Sequence, residues 1–290
     1  MKKQNKPTVD VTGKEAIYHH PEPGSSREFP PFPASLSLSA PWISLQESPV
    51  RHCITLAPQD TLYQNHPPEE VLDRRELTRF HDFSREKRRR EWLAGRIVAK
   101  LAALTLLGRN RERLQSLAIG MEPGGRPFPE RQESKTNQPL FLSITHSGRH
   151  AGGMAAHVPC GLDLQEISAR LTGVQDRFTS PGEKKILARM IDAPEQKLLT
   201  MIWTAKEAIK KCFLHDRSAI FGDTSLIAAR AGKEDLLLVF RILDLAPAAE
   251  VMLYDLEPYI LAVTLDSHLT GQTTLAQRLH DPCQNFLKLK

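Results

Sequence analysis

Two stretches of this chain set charged residues among apolar ones in patterns that could do chemistry. In Cys160-Gly161-Leu162-Asp163-Leu164-Gln165, strand alternation puts Leu162 and Leu164 on one face, with Asp163 and Gln165 on the other, open one. An Asp on a half-buried strand is costly unless it is solvated, paired or bound to a cation, and a solvated strand end competes with a metal ligand here. In Ile202-Trp203-Thr204-Ala205-Lys206-Glu207-Ala208-Ile209-Lys210-Lys211, a helical turn of about 100° per residue gathers Leu198, Ile202, Ala205, Ile209 and Phe213 into one apolar stripe. Glu207 points away from that stripe, with Trp203 and Lys210 beside it. A carboxylate among lysines is an ordinary solvent face; a tryptophan on the same face is not.

Phe141-Leu142-Ser143-Ile144-Thr145-His146-Ser147-Gly148-Arg149-His150 reads as a strand entering a turn. Backbone N–H groups at Ser147-Gly148, with donors on Thr145, His146 and Arg149, suit a phosphate, and an ordinary polar turn suits the same residues. His146 and His150 have zinc spacing only on a helix, which Ser-Gly interrupts. Ser147 lacks the Gly-x-Ser-x-Gly elbow of a hydrolase nucleophile. A basic run holds Arg85, Lys87, Arg88, Arg89, Arg90, Arg96 and Lys100. Its buried side is Leu93, Ile97, Leu101 and Leu104, and Trp92 falls off that side. Gly95 in mid-helix costs about 1 kcal/mol against Ala, which implies the close approach of another element or a ligand. Gly124-Gly125-Arg126-Pro127-Phe128 is a turn carrying one cation.

These stretches need elements to hold them. Strands are predicted at His52–Leu56, Leu114–Ile119 and Leu140–His146, with a long amphipathic helix over Ser84–Leu107 and a small-residue run at Ala151–His157. The order then repeats. A strand at Cys160–Gln165 precedes helices at Pro181–Ile191 and Ala193–Phe213 and strands at Leu236–Leu243, Ala249–Leu256 and Tyr259–Leu265. This pattern predicts an α+β chain of two similar halves, each an antiparallel sheet packed with a long helix. The halves are expected at 49–158 and 159–268, between a Pro-rich, loosely packed extension over 1–48 and a tail over 269–290.

Composition excludes several classes. The chain has 290 residues, 40% hydrophobic and 25% charged, as globular proteins do. No apolar run reaches the roughly 18 residues of a membrane span. Met1-Lys2-Lys3 leads into no apolar stretch, so no secretory signal is expected. Four cysteines without Cys-x-x-Cys spacing point to a reducing, cytoplasmic setting. Lys plus Arg less Asp plus Glu gives 39 − 34 = +5. That suits a phosphate-bearing or acidic partner. It is too weak for nucleic acid, since base stacking needs aromatics along a basic groove and Trp92 is the only one on the basic helix.

The order of the motifs is more specific than any one of them. An Arg-rich helix with Leu93-Ala94-Gly95-Arg96 precedes Gly125-Arg126-Pro127 and Ser143-Ile144-Thr145-His146-Ser147-Gly148. Gly161-Leu162-Asp163 and Trp203-x-x-Lys206-Glu207-Ala208-x-x-Lys follow. Over residues 50–265 this resembles the 4′-phosphopantetheinyl transferases of the Sfp type. The resemblance implies a pseudo-dimer of two α/β halves with coenzyme A in the cleft between them, acting as a monomer. It implies transfer of the phosphopantetheine arm to a serine of an acidic acyl, peptidyl or aryl carrier protein, with release of adenosine 3′,5′-bisphosphate.

Magnesium is then held by Asp163 and Glu207; Gln165 stands where many members have a second acid, so a water or Gln165 itself completes the shell. Glu207 becomes the base and Lys210 stabilises pyrophosphate charge. His146 matches the residue that contacts the 3′-phosphate, with Arg96 and the run from Lys87 as further partners. Gly125, Arg126 and Pro127 match the turn lining the adenine, and Thr145, Ser147 and Lys206 complete the coenzyme A contacts. The Gln165 departure leaves one alternative, a catalytically silent member that binds carrier protein or coenzyme A.

Overall fold

The computed structural model describes residues 8–9, 15–16, 42–46, 50–130, 138–217, 221–231, 235–243 and 245–266. Most of the expected extension and all of the tail lie outside them. The chain divides into two units. The first runs to Gly120 and resumes over Pro127–His157; the second takes Met121–Arg126 and the chain from Val158 onward.

In the first unit, a short ribbon pairs β1 (Thr8–Val9) with β2 (Glu15–Ala16). The main sheet is wholly antiparallel, in the order β3 (Trp42–Gln46), β4 (His52–Pro58), β8 (His150–Ala156), β7 (Phe141–Ser147). Trp42–Gln46 is thus a sheet strand inside the stretch expected to be loose. Helices α1 (Gln59–Asn65), α2 (Pro68–Val71) and α3 (Arg74–His81) lead to the long α4 (Glu86–Leu106). Sequence reading missed the first three because they are short and polar. Leu114–Ile119, expected as a strand, forms a 3-10 turn at Leu114–Ser116 and enters β5 (Ile119–Met121), which pairs with β6 (Pro127–Pro129).

Small residues bring α4 onto the sheet. A Cβ on Gly153 of β8 would stand 2.5 Å from Ala99 N, and one on Gly95 of α4 3.0 Å from the Ile144 side chain of β7. That close approach is the neighbour for which mid-helix Gly95 accounts. Every residue of α4 from Leu93 to Leu104 is buried, so the basic run splits. Its first part stays at the surface, while Arg96 and Lys100 go inside. Lys100 Nζ donates to Glu76 Oε2 at 2.5 Å and to Val71 O at 2.7 Å. Glu76 is the third residue of α3, capped by Asp73, and also accepts the Ile119 N–H at 3.3 Å.

In the second unit, the sheet order is β10 (Thr224–Ala231), β11 (Leu236–Ile242), β12 (Leu245–Leu256), β13 (Tyr259–Leu265), β9 (Cys160–Glu166), again antiparallel throughout. A 3-10 segment at Ala169–Arg177 precedes α5 (Pro181–Ala188), and α6 (Glu195–Phe213) covers the sheet. The same kind of polar node recurs here. Lys206 Nζ lies 2.8 Å from Glu183 Oε1 and 3.0 Å from Thr224 O. Glu183 is the third residue of α5, capped by Ser180, and accepts the Leu226 N–H at 2.9 Å. No helix among the described residues is long and apolar enough to cross a membrane.

Candidate active site

The site is built where the edge strand β9 meets α6. Gly161 makes that meeting possible, because a Cβ there would collide with the Ala208 carbonyl of the helix backbone. Asp163 is two residues further along and so faces the same way. Register confirms this: Asp163 pairs with Ala262 and Gln165 with Ile260, both in the core under α6. The alternation read from sequence holds, but the open face does not. Leu162 and Leu164 share the opposite face with Val263 and Leu261, and all four are buried. Asp163 lies toward the helix at 7% exposure, so it is not a solvated strand end.

A cation meets it there. Lys211 Nζ donates to Asp163 Oδ1 at 2.7 Å and to Leu162 O at 2.9 Å. Lys211 follows Glu207 by one helical turn, so both side chains leave the same side of α6. Glu207 is half-buried. Burial raises its pKa, the charge of Asp163 raises it further, and Lys210 and Lys211 pull the other way. Two carboxylates thus sit within each other's field, with two ammonium groups beside them. Sequence reading gave Lys210 a role, whereas the lysine that closes the Trp203-x-x-Lys206-Glu207-Ala208-x-x-Lys motif is Lys211, at i+4 from Glu207.

Two other residues expected here have partners of their own. Lys206 is 1% exposed and turned inward to Glu183 and the Thr224 carbonyl, so it is a strut of the fold and a correction to its place among the coenzyme A contacts. Gln165 turns its amide to the Glu166 carbonyl at 3.3 Å. Trp203 packs edge-on to Phe178, ring centres 5.1 Å apart, and tilted on Phe221 at 5.0 Å. That aromatic cluster explains a tryptophan on the polar side of the helix.

The Gly125-Arg126 turn also belongs to the second unit. Gly125 has φ of +86°, which favours glycine, and a Cβ on Gly124 would lie 2.7 Å from the His215 carbonyl. The Arg126 guanidinium is close enough to Cys160 and Cys212 to oppose the upward push of burial on both thiols. Pro127 begins β6.

In the first unit, β7 and β8 form a hairpin whose tip carries Gly148 at φ +54°. Gln59 holds the tip, donating to His150 O at 3.0 Å. Alternation separates the expected phosphate contacts: His146 is exposed on the α4 face beyond Ile144, whereas Thr145 and Ser147 are buried on the other. Their side chains therefore do not form one cradle with His146. Arg149 and Arg90 instead converge on Asp60, at 3.4 Å and 2.5 Å. Arg96 is buried against Trp92, 4.6 Å from the ring centre, and 3.4 Å from Glu76. This removes Arg96 from the surface on which a phosphate partner was expected. Lys87 is exposed, 3.8 Å from Glu91.

The family model of the 4′-phosphopantetheinyl transferase superfamily matches residues 159–263, the stretch that contains Asp163 and Glu207. A holo-[acyl-carrier-protein] synthase of Staphylococcus carnosus is 36% identical over 87 residues, 29% of this chain and 71% of that protein. One of Bacillus pumilus is 36% identical over 87 residues, covering 70% of that protein. A solved holo-(acyl-carrier-protein) synthase of Bacillus anthracis, in complex with CoA (3′,5′-ADP), aligns with 36% of this chain and 90% of its own at 21% identity and a TM-score of 0.32. The chain belongs to the 4′-phosphopantetheinyl transferase superfamily, as an enzyme of the holo-[acyl-carrier-protein] synthase type.

Proposed function

We propose that this chain moves the 4′-phosphopantetheine arm of coenzyme A onto a serine hydroxyl of an acidic carrier protein and releases adenosine 3′,5′-bisphosphate. The observation that carries this reading is the placing of Asp163 and Glu207 at the β9–α6 junction, where Lys211, one turn after Glu207, meets Asp163 at 2.7 Å and the charge of Asp163 raises the pKa of Glu207. Such a pair fits Mg²⁺, which takes few carboxylates and keeps several waters. Among the described residues no cluster of three His, Cys, Asp or Glu side chains forms, so Asp163 and Glu207 are the protein carboxylates we assign to it, with water or Gln165 completing the shell. When bound, Mg²⁺ would neutralise charge on the pyrophosphate.

The chain's own groups do the rest. The serine oxygen attacks the phosphorus that bears the pantetheine, and the P–O bond to the bridging oxygen breaks. Glu207 accepts the serine proton, directly or through water. Lys210 supplies positive charge for the leaving phosphate. In the first unit we assign His146 to the 3′-phosphate; Lys87 is a further cation there. Gly125, Arg126 and Pro127 are assigned to the adenine.

The paired Glu–Lys nodes support reading the chain as duplicated: in each unit the third residue of a capped helix receives a buried lysine and a strand N–H. Three buried free thiols, Cys53, Cys160 and Cys212, agree with the cytoplasm. Retention of both carboxylates disfavours a silent member.

The test is mass spectrometry of apo carrier proteins incubated with enzyme, coenzyme A and Mg²⁺. The expected product is a carrier heavier by one phosphopantetheine. Asp163→Ala and Glu207→Gln should each lower the rate by about 100-fold or more. Near-normal transfer by folded Asp163→Ala would overturn the assignment.

A further inference from the structure

The turn over 122–126 is shaped by its own backbone, but its place on the second unit is set elsewhere. Glu122 N–H donates to the Arg126 carbonyl at 2.9 Å and Gly125 N–H to the Glu122 carbonyl at 2.8 Å, so the turn closes on itself. What it rests on is the end of α6. Leu214 N–H donates to the Lys210 carbonyl at 3.0 Å and ends the helix, and His215 is the next residue. Its Nε2 stands 3.6 Å from Glu122 Oε2, and its carbonyl oxygen is 2.7 Å from where a Gly124 Cβ would be. One residue thus seats the turn twice, by side chain and by backbone. The other ring nitrogen, Nδ1, is buried and has no hydrogen-bond partner among the described residues, so Glu122 is the polar group that the ring meets. The reaction as proposed gives neither His215 nor Glu122 a part.

We propose that His215 is a positioning residue for base recognition: its contact with Glu122 holds the 122–126 turn on the end of α6 and so sets the affinity for the adenine end of the ligand. This role rests on the assignment of Gly125, Arg126 and Pro127 to the adenine, and deepens it. A base held by a turn responds to small displacements of that turn, because its contacts depend on where the backbone stands. The two side chains keep 29% and 39% of their surface exposed, so their contact has the weight of a surface pair. The phosphates are assigned to other residues, His146 and Lys87, so loss of His215 should be felt by the base alone.

The probes are adenosine 3′,5′-bisphosphate and ribose 3,5-bisphosphate, its base-free counterpart, titrated calorimetrically into the full chain with Mg²⁺ present. His215→Ala should weaken the adenosine ligand about 3- to 5-fold, the scale of one exposed pair, and leave the base-free ligand within about twofold of the wild type. Glu122→Ala should do the same. The double variant should lose no more than either single one, because both changes break one contact. Gly124→Ala, which displaces the turn through the His215 carbonyl, should give the same base-selective loss. Unchanged adenosine binding by His215→Ala or Gly124→Ala overturns the inference, as do equal losses for the two ligands or losses that multiply in the double variant. A change that only loosened the fold would weaken both ligands alike. A wild-type protein that binds the two ligands equally well overturns the adenine assignment itself, and the positioning role with it.

Discussion

Lys206 reaches inward to Glu183, 2.8 Å away and closed to solvent, while Glu207, the next residue of α6, turns toward Asp163. Adjacent side chains on a helix diverge by about 100°, so a lysine locked on one side fixes where its neighbour points. Burial lowers the pKa of Lys206 against the pull of Glu183. A buried charge of this kind persists only because its partner and the Thr224 carbonyl satisfy it.

Removing one partner of that pair should therefore harm the fold first. Lys206→Met is expected to cost about 3–5 kcal/mol by leaving Glu183 buried and unpaired. The double variant Lys206→Met/Glu183→Leu should recover part of the loss. Urea unfolding of the three proteins measures this; a single variant as stable as the wild type would show that the pair carries no weight.

Gly161→Ala tests the β9–α6 junction. The added methyl meets the Ala208 carbonyl, so strand or helix must shift and Asp163 moves away from Glu207. Transfer activity should fall by about 10-fold or more, since small misplacements at a reacting centre are costly. Gly173→Ala, whose Cβ would meet nothing within 4 Å, is the matched control and should keep its activity.

His146 has a ligand-specific prediction. If it holds the 3′-phosphate, His146→Ala should raise KM for coenzyme A about 10-fold, as loss of one charge-assisted hydrogen bond does. KM for 3′-dephospho-coenzyme A should stay nearly unchanged. Equal losses for the two substrates would remove His146 from that role.

His52 gives a pH-dependent stability. Burial lowers its pKa from 6.5 to about 4, against the raising effect of the Val50 carbonyl that accepts its Nδ1–H at 2.7 Å. The folded state thus holds it neutral while the unfolded chain takes a proton below 6.5. Its contribution is complete above that value and is lost as pH falls from 6.5 toward 4, by about 3 kcal/mol in full. Denaturant midpoints of the wild type should drop between neutral pH and about pH 5 more steeply than those of His52→Gln. Parallel slopes would place the acid sensitivity elsewhere.

The sequence by itself determined most of the strands and the two long helices, because period and spacing are local properties that survive folding, while the pairing of Asp163 with Glu207 was read from the order of the motifs. Strand alternation correctly separated Asp163 from Leu162 and Leu164. It could not say which face α6 would cover, since both faces of β9 are buried and that choice depends on partners distant in sequence. The same limit separated the lysines. Lys206, Lys210 and Lys211 read alike as charges on one helix. Only packing sent Lys206 to Glu183 and Lys211 to Asp163, because Gly161 lets β9 close on one side of α6 while α5 and β10 supply Glu183 and the Thr224 carbonyl on another. Arg96 is the counterpart in the first unit: its charge was legible, but its burial against Glu76 came from α3, a helix too short and polar to announce itself.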